Sequence, residues 1–380
     1  MLTSALLQPR RTRFRRGSYA PAVPATYGHA REQFLNLARY LGARIESQTL
    51  RGTGPEGEEL AFDAAWLGAQ KPKRLLVLSS GVHGAEGFFG SAVQQAFLEE
   101  ELRGGTLPED GAILLLHALN PYGFAWRRRF NESNIDLNRN FLLPGQKYAG
   151  SPPLYSALLK LFPSEVRPQP HNFMLMGKVV YVLMRHGTHK LRRNIPVGQY
   201  DFPGGPFFGG AGPSHTHQML AAAMPRWLSG VEEVAHLDFH TGLGRFGTYK
   251  LLLEESTLEP AGRWWLRWFL ADEVEDCISA HTAYPTRGAF GPWCQSYLPN
   301  GKYYFATAEF GTYRPMRVLS AIVAENRAYC CGLQDHPDFE WTRQRLMDAF
   351  LPRDEYWRDQ CVRQGLELIQ RTWMGLFKTV

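Results

Sequence analysis

The chain has 380 residues, of which 44% are hydrophobic, 13% aromatic and 21% charged, a balance that supports a large buried core and excludes disordered and fibrous classes. At roughly 150 residues per domain, this length allows two or three domains. The formal net charge of +6 is concentrated at one end: Arg10, Arg11, Arg13, Arg15, Arg16 and Arg31 lie in an opening stretch without a single acid, so the remainder is neutral. A basic tail on a neutral body gives little ground for nucleic-acid binding by the folded part.

Residues 1–25 read as a flexible, inert, Arg-rich tail. No apolar stretch of signal-peptide length follows the arginines, so a secretory signal is not expected. No apolar run reaches the roughly 18 residues of a membrane span. The nearest, Phe173 to Met184, is short and interrupted by Lys178. Five cysteines without a Cys-x-x-Cys pair fit reduced thiols in a cytoplasmic protein.

Taken in chain order, Phe34, Leu37, Ala38 and Leu41 predict a helix that stops at Gly42. Arg74 to Leu78 predicts a buried strand running into Ser79-Ser80-Gly81. A helix is expected over 90–103, and a strand over Ala112–Leu116 that ends near Asn120-Pro121. Residues 146–215 are rich in Gly and Pro and read as an irregular insertion, with one strand candidate at Val179–Leu183. A helix over Gln218–Leu228, strands at Val234–Phe239 and Tyr303–Phe310, and a final amphipathic helix through Val362, Leu366, Ile369 and Trp373 complete the reading. Strands alternating with helices, with no linker between the chemistry-bearing segments, predict one α/β catalytic domain over 26–380.

Four of the apolar runs end in polar clusters. In open α/β sheets, ligands bind outside the carboxyl ends of the strands. His83 and Glu86, three apart in the bend Gly81-Val82-His83-Gly84-Ala85-Glu86-Gly87, can converge on one metal ion, or else form a polar turn with a capping carboxylate. In His236-Leu237-Asp238-Phe239-His240 the strand period places His236, Asp238 and His240 on one face. His240, at the strand's end, is the candidate third ligand. Asp238 can orient a histidine, and His236 lies deeper and reads as structural. Glu309 interrupts an apolar strand, where burial costs several kcal/mol unless the carboxylate is paired. It is either a general base beside a metal or one half of a salt bridge. Arg129, Asn138 and Arg139 form a candidate anion clamp, the guanidinium acting as a bidentate fork. Two of Arg127, Arg128 and Arg129 are expected to be solvated.

Together, His83-x-x-Glu86, Asp136-Leu137-Asn138-Arg139-Asn140-Phe141, Asp238-Phe239-His240-Thr241 and Ala308-Glu309-Phe310 resemble the zinc carboxypeptidase superfamily. Gly198-Gln199-Tyr200 and Phe208-Gly209-Gly210 look like a mostly bacterial branch of it, filed as a domain of unknown function. The resemblance implies a three-layer α/β/α sandwich with a mixed, mostly parallel central sheet. It implies one zinc per chain, held by His83, Glu86 and His240, with Asp136 positioning His83. It assigns carboxylate binding to Asn138 and Arg139, carbonyl polarisation to Arg129 and general base and acid catalysis to Glu309. The insertion has no counterpart in the digestive enzymes, whose substrate-capping tyrosine has Tyr284 and Tyr313 as candidates here. The implied activity is hydrolysis of an amide next to a free carboxylate, on small peptides. The alternative is an N-acyl amino acid deacylase resembling succinylglutamate desuccinylase or aspartoacylase. A catalytically inactive binding protein is the third reading. The expected partner is a small peptide or acyl-amino-acid substrate, with neither nucleic acid nor membrane.

Overall fold

The computed structural model describes residues 18–19, 23–100, 107–156, 159, 184–185, 187, 194–276, 286–299, 302–334 and 336–377. The expected strand at Val179–Leu183, the candidate Tyr284 and the arginines Arg10 to Arg16 lie outside them.

Helix α1 (Tyr27–Tyr40) buries Phe34 and Ala38 as its periodicity predicts and is capped by the Thr26 side chain. A hairpin follows, β1 (Arg44–Thr53) and β2 (Glu59–Gly68), which the sequence reading missed. Strand β2 is rich in alanine, poor in β-branched residues and carries Asp63 in its centre, so neither propensity nor alternation marks it. Asp63 is tolerated because Arg31 Nε, at 2.8 Å, and Ser47 Oγ, at 2.5 Å, donate to its carboxylate.

Next come β3 (Arg74–Ser80), α2 (Gly87–Glu100), β4 (Gly111–His117) and α3 (Pro121–Ala125). Beyond the insertion lie α4 (His215–Trp227), β5 (Glu233–Gly242), β6 (Tyr249–Leu253), α5 (Pro260–Trp268), β7 (Val274–Asp276), α6 (Phe290–Gln295) and β8 (Tyr303–Gly311). Three helices close the chain: α7 (Pro315–Cys330), α8 (Pro337–Phe350) and α9 (Glu355–Phe377). Helices α3, α5, α7 and α8 begin with proline at the first turn, where its missing N–H costs nothing. Pro315 and Pro337 carry that start signal in the sequence for α7 and α8.

The eight strands form one mixed sheet in the order β1-β2-β4-β3-β5-β8-β6-β7. Its centre, β4-β3-β5-β8, is parallel, and β2 and β6 flank it antiparallel. One face, carrying Phe239, packs on α2, with α9 in the same layer. The opposite face, carrying His236, packs on Phe290 of α6. The result is the expected three-layer α/β/α architecture, with both faces of the central strands covered. One apolar cluster runs from Tyr19 through to Phe377. Tyr19 corrects the expectation of a wholly flexible tail over 1–25. It is buried on the domain, its N–H donating to Asp359 Oδ1 at 2.7 Å and its hydroxyl to Glu100. Among the described residues, no helix is long and apolar enough to cross a membrane.

Candidate active site

The carboxyl ends of β3, β5 and β8 meet at one edge of the sheet. Strand β3 runs out into His83, and a 3-10 turn over Gly84–Glu86 swings the carboxylate of Glu86 back toward it. That turn requires glycine at 84, because a Cβ there would lie 1.9 Å from the carbonyl carbon of Gly123. The N–H groups of Gly84 and Ala85 donate to the carbonyls of Arg129 and Arg128, so the bend and the arginine segment are one unit.

His83, Glu86 and His240 converge, with one potential ligand atom from each lying within 4.8 Å of the others. Glu86 Oε1 is 2.8 Å from His83 Nδ1, and Glu86 Oε2 is 3.0 Å from His240 Nδ1. The other nitrogen of each ring is held by an aspartate. His83 Nε2 lies 3.0 Å from Asp136 Oδ1 and 2.7 Å from the Nη2 donor of Arg129, and His240 Nε2 donates to Asp238 Oδ2 at 2.7 Å. Both rings therefore present Nδ1 to the centre, the second-sphere arrangement that fixes metal-ligating imidazoles. The Thr241 N–H donates to Glu86 Oε2 at 3.0 Å.

Beneath His240 the polar chain continues. Ser79 Oγ donates to Asp238 Oδ1 at 2.6 Å and accepts from His236 Nε2 at 2.7 Å, while His236 Nδ1 faces the Tyr303 hydroxyl at 2.9 Å. Register explains the chain: Ser79 and Asp238 are partners in the β3–β5 pairing. Burial pushes the His236 imidazole down to about 4, so it is neutral and its role is structural, as its depth in the strand predicts.

The electrostatics suit a cation. Burial alone would raise the Glu86 carboxyl, but the imidazoles of His83 and His240 outweigh it and hold Glu86 below the usual carboxylate range. Asp136 is likewise held down against burial by Arg129 and His83. His240 is raised against burial by Asp238 and Glu86. Two imidazoles and a carboxylate are the donor set of a catalytic zinc site, and the buried His83 Nδ1 lies 2.8 Å from Glu86 Oε1 without a well-directed hydrogen bond to it. The residues present therefore fit the metal.

Glu309 pairs with His240 in the parallel register of β8 against β5. It is buried, and its Oε1 accepts the Leu243 N–H at 2.7 Å. Burial and then the neighbouring charge of Glu86 raise it to about 7, against the pull of His240. No arginine or lysine forms an ion pair with it among the described residues, so the salt-bridge reading of Glu309 does not hold.

Arg129 lies at the same centre. Its Nη1 donates to Glu86 Oε1 at 3.0 Å and its Nε to Asp136 Oδ2 at 3.1 Å, and the rings of Phe207 and Phe350 flank it at 5.8 Å. Of its neighbours, Arg128 corrects the expectation that two of the three arginines are solvated. It is fully buried, paired with Glu325, donates to Asn134 Oδ1 at 2.9 Å and lies over Tyr329, pinning α7 to this segment.

Asn138 Oδ1 accepts the Phe290 N–H at 2.9 Å, which orients its Nδ2 as a donor. Arg139 is buried, and the structure corrects its reading as an open bidentate fork: Nε donates to the Pro196 carbonyl at 2.8 Å and Nη1 to the Asn138 carbonyl at 2.6 Å. The second half of the insertion supplies this support. Tyr200 donates to the Arg139 carbonyl, Asn140 Nδ2 to the Gly209 carbonyl, and the Asp136 N–H to the Phe208 carbonyl. Gly198, Gln199, Tyr200 and Phe208 to Gly210, which marked the bacterial branch in the sequence, thus buttress the turn that carries Asp136, Asn138 and Arg139. Tyr313 packs between Phe246 and Arg317. The sequence reading missed the N–H groups of Thr241 and Leu243 and the role of Ser79; a hydroxyl in register with Asp238 was the available signal for the last.

Solved structures similar to this chain share little sequence with it. Carboxypeptidase A from Helicoverpa armigera is 12% identical with a TM-score of 0.44, over 81% of this chain and 73% of that one. Bovine thrombin-activatable fibrinolysis inhibitor, solved with tick carboxypeptidase inhibitor, is 12% identical with a TM-score of 0.45, over 87% and 97%. Murein-tripeptide amidase MpaA from Escherichia coli O157 is 18% identical with a TM-score of 0.34, over 77% and 92%. No curated protein matches the sequence. The profile of a family described as protein of unknown function, DUF2817, matches residues 24–364, and the chain belongs to that family.

Proposed function

We propose that this chain is a zinc-dependent hydrolase that cleaves an amide bond next to a free carboxylate, a metallocarboxypeptidase-like enzyme for small peptides. The observation that carries this reading is the convergence of His83 Nδ1, His240 Nδ1 and the Glu86 carboxylate, with Glu309 beside them. A zinc ion held by these three residues would supply Lewis acidity, polarising the scissile carbonyl and lowering the pKa of the attacking water.

Glu309, raised to about 7, accepts the water's proton as the carbonyl is attacked and delivers it to the leaving amine. A carboxyl near neutrality can do both, because it gains and loses a proton at little cost. Arg129 contributes positive charge to the developing oxyanion. Asn138 and Arg139 bind the terminal carboxylate and set the register of the scissile bond. Asp136 and Asp238 hold the imidazoles, and the His236–Ser79 chain holds Asp238.

The test is metal analysis of the purified protein, followed by assay on free-acid peptides and on N-acyl amino acids. About one zinc per chain is expected, with hydrolysis of the peptides. A protein that purifies metal-free and cannot be reconstituted refutes the metal centre. Turnover confined to N-acyl amino acids replaces the peptidase reading with the deacylase.

A further inference from the structure

A cavity lies outside the site described above, between α7 and α8. It has a volume of about 390 Å3 and is lined by Arg317, Trp341, Gln344, Arg345 and Asp348. That volume falls in the range of small-molecule sites. None of the lining residues belongs to the metal centre or its carboxylate clamp.

The charges in this cavity are arranged unusually. Arg317 comes from the first turn of α7 and Arg345 from α8, so helix packing brings two guanidiniums to one space. Neither forms an ion pair with a carboxylate among the described residues. The one acid in the lining, Asp348, has its own donors: Oδ1 accepts from Arg353 Nε, outside the lining, at 2.9 Å and from Gln344 Nε2, within it, at 3.0 Å. Burial, and then the charge of Arg317, lower Arg345, so the two cations feel each other. Like charges held close are stabilised by an anion between them.

Both side chains are also held in place. Arg345 Nη2 donates to Ser320 Oγ at 3.0 Å, and its guanidinium lies 5.6 Å from the centre of the Trp341 ring. Arg317 stacks over Tyr313 at 3.6 Å. Two oriented guanidiniums present forked donors of the geometry that oxyanions accept. Trp341 adds an apolar wall against which the organic part of a ligand can rest.

We propose that the cavity between α7 and α8 is a binding site for the oxyanion of a small ligand, a phosphate monoester or a carboxylate, held between Arg317 and Arg345. The site is independent of the hydrolase reading, because it shares no residue with the metal centre.

The experiment is calorimetric titration of the full chain with inorganic phosphate and, in a parallel arm, with acetate. One saturable site with a Kd of about 1 mM or tighter is expected in at least one arm, and the arm that saturates names the oxyanion. Arg317→Gln and Arg345→Gln should each weaken it by about tenfold or more, while His83→Ala leaves it unchanged. Arg317 is exposed, so Arg317→Gln tests the site even if Arg345→Gln fails to fold. Absence of saturation in both arms overturns the proposal. So does binding that survives Arg317→Gln and is lost in His83→Ala, which would place the anion at the metal centre.

Discussion

Glu309 and His240 are partners across the β5–β8 pairing, at the ends of parallel strands, so the raised carboxyl and one candidate ligand stand side by side. Glu309 keeps its place through the Leu243 N–H and not through a salt bridge. Glu309→Gln preserves shape and can still accept that hydrogen bond, but it cannot take a proton. Turnover is expected to fall by about 10²–10⁴-fold, with zinc content unchanged. Undiminished turnover would make Glu309 structural.

Asp238 connects His240 to the buried hydroxyl and imidazole of Ser79 and His236. Asp238→Asn can no longer accept from both sides with two carboxylate oxygens, so the His240 ring loses its fixed tautomer. Metal affinity should fall about 10–100-fold, with a smaller loss of stability than His240→Ala causes. Competition with a chelator of known affinity measures it. Unaltered affinity would show that His240 is oriented by its strand alone.

The site was more legible than the scaffold around it. His83, Glu86, His240 and Glu309 announced themselves because polar residues at the ends of apolar runs are rare and the sheet edge gives them one place to meet. Strand β2 and helices α7 and α8 lack such contrast. Asp63 breaks the apolar run of β2, and α7 mixes buried Glu325, Asn326 and Arg327 with apolar residues. Arg128 looked solvated because its partner, Glu325, lies almost two hundred positions away, and no local pattern encodes that pairing. The turn holding Arg139 was visible as a motif, but its support by Pro196 and Tyr200 depends on the insertion folding back over it.

The tail divides at Tyr19. Its ring lies against Arg363, and its backbone and hydroxyl bond to Asp359 and Glu100. Deleting residues 1–17 leaves these contacts intact and should not change thermal stability. Deleting residues 1–24 removes them and should cost about 1–3 kcal/mol, a drop of several degrees in Tm. Scanning calorimetry of the two truncations decides it. Equal melting temperatures would mean that the Tyr19 contacts contribute nothing.

His117 is buried at the end of β4, stacked on Phe34 at 4.4 Å and bonded to Ser91 Oγ at 2.8 Å. Burial, and then the charge of Arg31, push its imidazole down to about 3 from 6.5. The folded state keeps it neutral, whereas the unfolded chain binds a proton below 6.5. Stability from this group is therefore complete above that pH and is lost as pH falls toward about 3. The slope is about 1.4 kcal/mol per pH unit in that window. In His117→Gln the slope should shrink by that amount, which urea denaturation between about pH 6 and pH 4 can read. Equal slopes in both proteins would mean that the buried imidazole finds a proton in the fold.

Carboxylate recognition provides the sharpest test of the proposed reaction, because the clamp is held by its own backbone. Asn138 Nδ2 is oriented by the Phe290 N–H, and Arg139 spends Nε and Nη1 on the carbonyls of Pro196 and Asn138. Arg139 therefore acts as a fixed charge. Removing one partner of a buried ion pair costs about 3–5 kcal/mol, and the lower end of that range corresponds to roughly 10²-fold in turnover efficiency. Wild type should prefer a free-acid peptide over its amidated match by about that factor. Arg139→Ala should erase the preference by slowing the acid and sparing the amide. Gly198 gives a gentler version of the same experiment. Its φ is +111°, and a Cβ there would lie 2.8 Å from Arg139 Cδ. Gly198→Ala should thus displace the guanidinium without touching the metal ligands, reducing the acid-over-amide ratio while zinc content stays at the wild-type level. Equal rates on the two peptides with wild type would remove the terminal-carboxylate assignment and leave Asn138 and Arg139 as structural supports of the turn.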